Sequence, residues 1–403
     1  MKKCPWWFLL MIMSVMGIFT ACTQRSRLPL DQWTYIQVDD QRTPHPKHAN
    51  AKSGWWFGLA MGDLTGDGYL DLVSGKWFYR NPGGDMTGKW ERIVIADTLD
   101  AMLVVNVDDD AFGDAIATEL PQVYWIEAAD PSANSWRLTK IGELPPTRHG
   151  NGQGHELGQI IAGGKPEILL SSGEGIFYFE IPTNPEEGNW PRIQINSTAS
   201  EEGIGVGDLD GDGLVDICAG TGGKIRGQGM TVSWWKNPGD GSANWPQFDI
   251  GKTEHFVDRF KIADVNGDSR PDIVATEERY PGPDPDASLF WFERPADPQQ
   301  GNWERHTVVT EYSLNNLDVA DLDGDGDVDI VTCEHKGPKE KLQIWENDGK
   351  GRFTQILLDE GKESHLGSKL ADMDGDGDLD MVSIAWEDFQ FLHLWRNDAI
   401  KNN

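Results

Sequence analysis

Basic residues are scarce in this chain: Lys and Arg number 35 against 66 Asp and Glu, a formal charge of −31. That balance argues against nucleic acid as a partner, because such binding rests on basic side chains meeting phosphates. Cysteine is scarce too, with four in the sequence. Cys4 and Cys22 lie near the N-terminus. Cys218 and Cys333 fall in apolar runs of different repeats, which predicts buried thiols rather than a disulfide. There is no GxSxG motif, no phosphate-cradling loop and no dinucleotide fingerprint. The apolar run from Trp6 to Phe19 is shorter than the ~20 residues needed to span a bilayer.

That run has the character of an export signal. Lys2 and Lys3 precede it, and Ala21-Cys22 closes it with a small residue before a cysteine. It resembles a bacterial lipoprotein signal, with Phe19 where leucine is usual. The resemblance implies a signal peptide over residues 1–21, lipid on Cys22 and a tether over 22–32. Thr23, Gln24 and Arg25 follow, not an acidic run, which implies anchoring on the periplasmic side of the outer membrane. Display at the cell surface is the alternative. Contact with a membrane is expected through the lipid alone.

What the chain has in abundance is one recurring loop. Its clearest copy is DLDGDGDVDI, Asp321–Ile330. Carboxylates alternate at Asp321, Asp323, Asp325, Asp327 and Asp329, a pattern of oxygen ligands that suits Ca²⁺. Glycines let the backbone turn sharply enough to aim the side chains inward. An apolar β-branched run follows, so the loop leads into a strand. Full copies stand at Asp63–Asp71, Asp208–Asp216, Asp264–Asp272, Asp321–Asp329 and Asp372–Asp380, and together hold twenty acids. Degenerate copies stand at Asn106–Asp114 and Gln159–Glu167. The expected Ca²⁺ ligands are Asp208, Asp210, Asp212 and Asp216; Asp321, Asp323, Asp325 and Asp329; and Asp372, Asp374, Asp376 and Asp380.

Each unit reads as four strands: a small-residue strand, the loop and a second strand, an aromatic strand, then a strand opening on an aromatic residue or close to one. Seven units of this kind predict an all-β, seven-bladed β-propeller over residues 33–397, with 398–403 as a tail. The last unit lacks a fourth strand, and the orphan run WTYIQV at 33–38 matches it in type. Pairing the two would close the ring and remove an exposed sheet edge. Trp125, Trp235, Trp291 and Trp345 are expected in the core between blades. A monomer is expected.

Because a blade runs back and forth, its loops sort onto two faces. The Asp loops take one. The segments entering the first strand, and the loops joining strands two and three, take the other. Six of the nine histidines fall on that second face, at His48, His149, His155, His255, His335 and His365. With them come Trp55, Lys76, Arg148, Gln153, Arg226, Arg259 and Arg279. This predicts a funnel for an anionic ligand, with cations gripping a carboxylate and a histidine moving a proton. The cluster RHGNGQGHE, Arg148–Glu156, is the strongest single candidate, and His149 and His155 are its candidate catalytic residues. As a zinc site it is poor, since its spacing fits no standard arrangement.

The Asp-loop units resemble the FG-GAP/VCBS repeats of integrin-like propellers, and that resemblance covers essentially all of 33–397. A narrower one rests on His48 before SGWWFGLAMGDLTGDG (53–68), on KWFYRNPGG (76–84) and on RHGNGQGHE. These look like bacterial seven-bladed propeller enzymes that remove terminal L-rhamnose from glucuronic acid on arabinogalactan. The resemblance implies an α-L-rhamnosidase with His48 as its catalytic histidine, or a rhamnosyl-glucuronate lyase. The partner it implies is a uronic-acid-containing plant oligosaccharide. The candidate face is rich in His and cations and poor in acids, so the usual pair of carboxylates is not evident. The reading from another class is a propeller that binds glycans or a protein without catalysis.

Overall fold

A computed structural model describes residues 27–130, 132–222, 229–279 and 282–400. The signal segment, Cys22 and Arg226 lie outside them. Seven antiparallel sheets of four strands each form the blades. Blade one is Ala60–Gly62, Asp71–Ser74, Trp77–Arg80 and Glu91–Val94, and blades two to six repeat this order. Blade seven takes Leu366–Ala371, Asp380–Ile384 and Leu392–Asn397 from the C-terminal end and Trp33–Asp39 from the N-terminal end. Trp33 faces Asn397 and Tyr35 faces Trp395 across that closure. Among the described residues, helix is limited to two short 3₁₀ turns.

The sequence pattern explains the layering. Second strands such as Asp71–Ser74 and Asp329–Cys333 are apolar, β-branched and buried at every position. Fourth strands such as Phe353–Asp359 lie at the wet perimeter and stay partly exposed. Trp125, Trp235, Trp291 and Trp345 are all buried. Trp125 packs with Phe177 and Trp190 of the next blade, and Trp345 with Val265 and Trp291 of the preceding one. Burying one such side chain contributes about 4–6 kcal/mol by area, so the seams between blades hold much of the stability. Cys218 and Cys333 are buried free thiols.

The last acid of every loop has one architectural job. Asp71, Asp114, Glu167, Asp216, Asp272, Asp329 and Asp380 each accept the backbone N–H seven residues upstream, at 2.7–3.1 Å. The degenerate loops therefore kept the acid that shapes the turn. The first acid caps the turn from inside: Asp63 accepts the N–H groups of Gly66, Asp67 and Gly68, two of them glycines at positive φ.

Asparagines clip neighbouring blades together. Nδ2 of Asn81, Asn237 and Asn347 donates to Met373, Ile160 and Val265 carbonyls across a seam, at 2.8–2.9 Å. In blade five Arg294 takes that place, donating to Leu209 O.

Candidate functional site

The face away from the Asp loops holds a cavity of about 300 Å³. Entry segments from several blades converge on it. Trp55 forms one wall, stacked on His48 at 4.1 Å between centroids and tilted against Trp386 at 5.4 Å. Its φ is 59°, uncommon for a residue with a bulky side chain. Gly54 before it packs closely, since a Cβ there would fall 2.5 Å from Phe389. Trp386 and Phe57 are also tilted together, at 5.2 Å.

His149 lines the cavity, and its Nδ1 sits 3.0 Å from Glu201 Oε1. Glu201 also accepts from Arg148 N at 2.7 Å and Arg148 Nε at 2.9 Å. Burial pushes the Glu201 carboxyl up, but the contacts with His149 and Arg148 outweigh it and hold it below the usual range. Beside it Glu202 is raised well above that range, by burial first and then by the charges of Asp258 and Glu201. Asp258 is pushed up to about 6 by burial, with Arg259 opposing at 2.8 Å. Burial and these neighbouring charges favour the protonated form of Glu202, which stands next to His149 and Glu201.

The sequence candidates separate into distinct places. Trp55, Arg148, His149, Gln153 and His365 line the cavity together. His48 stands behind Trp55 in a side crevice that it shares with His45 and His149. His155 and Arg259 lie deeper, where the inner strands line a narrow channel with Lys261 and Lys369. His149 and His155 thus do not share one pocket, because the chain enters the inner strand His155–Gly158 between them. Burial, then Lys369, Arg259 and Lys261, push the His155 imidazole well below its ordinary value. His255 and Arg279 meet at Asp286, 3.7 and 3.1 Å away, outside the cavity lining. Lys76 lies over Trp77, also outside it. His335 packs behind His365, with ring centroids 3.5 Å apart.

Two expectations about this face change. Three of the cations it was expected to use have a carboxylate: Arg148 pairs with Glu201 and Glu202, Arg259 with Asp258, Arg279 with Asp286. Lys336 pairs with Glu278 and Lys261 with Glu156 and Asp318. The face is also not poor in acids, since Glu202, Asp258, Glu278 and Glu387 all line the cavity. Two of the three glycines of Arg148–Glu156 serve packing within the protein, while Gly150 holds a positive φ of 87°. A Cβ on Gly152 would fall 2.3 Å from Ser171 O, and one on Gly154 2.2 Å from Glu202 O.

Sequence reasoning missed Glu201, Glu202, Trp386 and Glu387. The signal was available in topology. Glu201 and Glu202 enter blade four, and Trp386 and Glu387 join strands two and three of blade seven.

On the opposite face, carboxylate oxygens of Asp208, Asp210 and Asp216 lie within 4.8 Å of one another, as do those of Asp321, Asp323 and Asp325. All-oxygen sets of this kind fit Ca²⁺. Side-chain cations already engage parts of both loops. Lys236 Nζ contacts Asp210 and lies 2.6 Å from Asp212. Arg27 contacts Asp325 and lies 2.9 Å from Asp323.

The sequence profile described as FG-GAP-like repeat matches residues 208–275, 264–332 and 321–383. Residues 208–383 carry FG-GAP-like repeats. They coincide with blades four to seven, each match running from one Asp loop through the next. Among solved structures, the chain is similar to BBS1N as crystallised with ARL6DN, at TM-score 0.54 and 10% identity over 91% of this chain and 97% of that one. At that identity the likeness is one of fold. An Agrocybe aegerita lectin specific for non-reducing terminal N-acetylglucosamine aligns at TM-score 0.47 and 15% identity, over 81% of this chain and 88% of that one. A search of curated proteins returns no significant match.

Proposed function

We propose that the cavity cleaves a glycosidic bond at the end of a uronate-containing glycan, as an α-L-rhamnosidase acting on rhamnosyl-glucuronate ends. The observation that carries this reading is the grouping of His149, Glu201 and the buried Glu202 beside a wall of aromatic rings, with burial and neighbouring charge favouring the protonated form of Glu202. Trp55 and Trp386 offer flat apolar surface to a sugar ring, and a uronate would meet Arg148 and Lys336, the cations in the lining, in competition with their partners Glu201, Glu202 and Glu278. Glu202 gives its proton to the departing oxygen as the bond to the anomeric carbon breaks. Water adds to that carbon and gives a proton to His149, whose other nitrogen is held by Glu201. His48, the histidine implied by resemblance, acts here through Trp55, whose ring it stacks against.

Elimination on the same linkage is the second reading, favoured by Glu201, which gathers His149 and the Arg148 guanidinium onto one carboxylate. In it His149 removes the C5 proton of the uronate, the C4 oxygen leaves with the Glu202 proton, and a C4–C5 double bond forms. Incubation with a rhamnose-capped arabinogalactan oligosaccharide tests both. Free rhamnose with saturated glucuronate indicates hydrolysis, and an ultraviolet-absorbing uronate indicates elimination. Absence of any product would overturn both readings and leave a binding propeller.

Ca²⁺ in the Asp loops belongs to the same proposal as a structural ion. Asp208, Asp210 and Asp216 would hold it in blade four, and Asp321, Asp323 and Asp325 in blade six. Bound there, it would neutralise crowded carboxylates at a blade corner, far from the cavity.

A further inference from the structure

One cluster in the cavity wall is used by neither reaction. His335 comes from the loop joining strands two and three of blade six, and Glu363 and His365 come from the entry to blade seven. One ligand atom from each lies within 4.8 Å of the others, and all three residues are buried. His335 is 2% exposed, and neither of its ring nitrogens has a hydrogen-bond partner. Nδ1 of His365 has none either. Buried imidazole nitrogens are normally satisfied, so bare ones on two adjacent histidines beside a buried carboxylate need a reason.

Carboxylates approach without closing a hydrogen bond. His335 Nδ1 is 3.4 Å from Glu363 Oε1, and Nε2 is 3.7 Å from Glu387 Oε2. Ligands of a tetrahedral ion with ~2.1 Å bonds stand about 3.4 Å apart, so this spacing suits a shared cation better than direct contact. Glu363 is fixed in place by three backbone N–H groups, from Trp386 at 3.1 Å and from Glu387 and Asp388 at 2.8 Å each. Such outer support is what orients a metal-ligating carboxylate.

We infer that His335, His365 and Glu363 form a binding site for a zinc-class divalent cation, with Glu387 closing the shell on the cavity side. Two nitrogen donors select a d-block ion over Ca²⁺, which takes oxygen. His365 and Glu387 line the cavity, so the ion would present an open position to whatever the cavity binds. It would also bring positive charge to a lining that holds four carboxylates. The exposed trio Glu293, Glu304 and His306 is a weaker candidate, because His306 Nε2 already lies 2.9 Å from Glu293. This inference stands apart from the glycosidic reading, since metal binding is measured without a glycan.

The test uses untagged protein, stripped with chelator and returned to millimolar Ca²⁺ so that the Asp loops are filled. Titration with Zn²⁺ should show one equivalent bound per chain, and His306→Ala should bind the same. His335→Ala and His365→Ala should lose that equivalent. Uptake below half an equivalent in the wild type, or full uptake in both histidine variants, overturns the inference. If either variant fails to fold, the wild type decides the matter with Co²⁺ in place of Zn²⁺. Intense visible bands and two shifted, exchangeable imidazole N–H resonances support the site; a weak aquo-like spectrum overturns it.

Discussion

His149 enters blade three and Glu201 enters blade four, yet the two meet with Nδ1 3.0 Å from Oε1. The contact spans a seam of the ring and fixes which imidazole nitrogen faces the cavity. Under the glycosidic reading Glu201 is a positioning residue. Glu201→Gln should lower kcat about 10–100-fold with little change in KM, while His149→Ala should cost about 10²–10⁴-fold. Glu201→Gln should also shift the His149 ring resonances and the pH profile of turnover. Unchanged kinetics and spectra in Glu201→Gln would remove this role.

Asp100 links stability to pH beneath the cavity. It is buried and accepts Phe57 N and Gly58 N at 2.9 Å each and Asn151 Nδ2 at 3.4 Å, with the Arg42 charge nearby. Burial raises its carboxyl to about 6, against the partial opposition of those donors. The folded state thus holds the proton more tightly than the unfolded one. Its contribution is fully present below the ordinary carboxyl value and is lost as pH rises through about 6. That amounts to about 3 kcal/mol across the window. Asp100→Asn should flatten this part of the stability curve measured by denaturant between pH 4 and pH 7; an equal slope in both proteins would contradict it.

Lys236 stands where a cation would serve the blade-four loop, against Asp210 and Asp212. Lys236→Met should therefore bind Ca²⁺ more tightly and lose more thermal stability on chelation than the wild type. In the wild type, chelation should lower the melting temperature by a few degrees, as expected when an ion bound well above its Kd is worth about 2–3 kcal/mol. Turnover at moderate temperature should survive when the chelator is selective for Ca²⁺ over zinc-class ions. Immediate loss of turnover with the fold intact would move a functional metal into the active cavity.

Asn347 carries a seam. Its Nδ2 is buried and donates to Val265 O at 2.8 Å in the preceding blade and to Val328 O at 3.1 Å in its own. Asn347→Ala leaves two carbonyls without their donor and should cost about 2–4 kcal/mol by chemical denaturation. A change within about 0.5 kcal/mol, the range of an ordinary surface substitution, would show that the clip carries no stability.

The fold was legible because every blade repeats one pattern, and because Trp33–Val38 had no other partner. Even the degenerate loops kept Asp114 and Glu167, the acids that shape the turn. The site was legible only in part. His149, Arg148 and Trp55 stood out as residue types on the right face. Glu201 did not, because its meaning depends on which side chain lies across the seam. The cations looked available in a linear reading, whereas the folded chain brings a carboxylate to Arg148, Arg259 and Arg279. His155 looked like a companion of His149 until the strand between them carried it into the channel.

The closure of blade seven has a mechanical meaning. A chain held by its N-terminal end hangs from its own ring. Tension would pass first through Arg27, which grips Asp323 and Glu346 of blade six, and then into the rungs from Trp33–Asn397 to Gln37–His393. Blades one to six are each continuous in the chain, so a pull that broke the protein would open the ring at blade seven first.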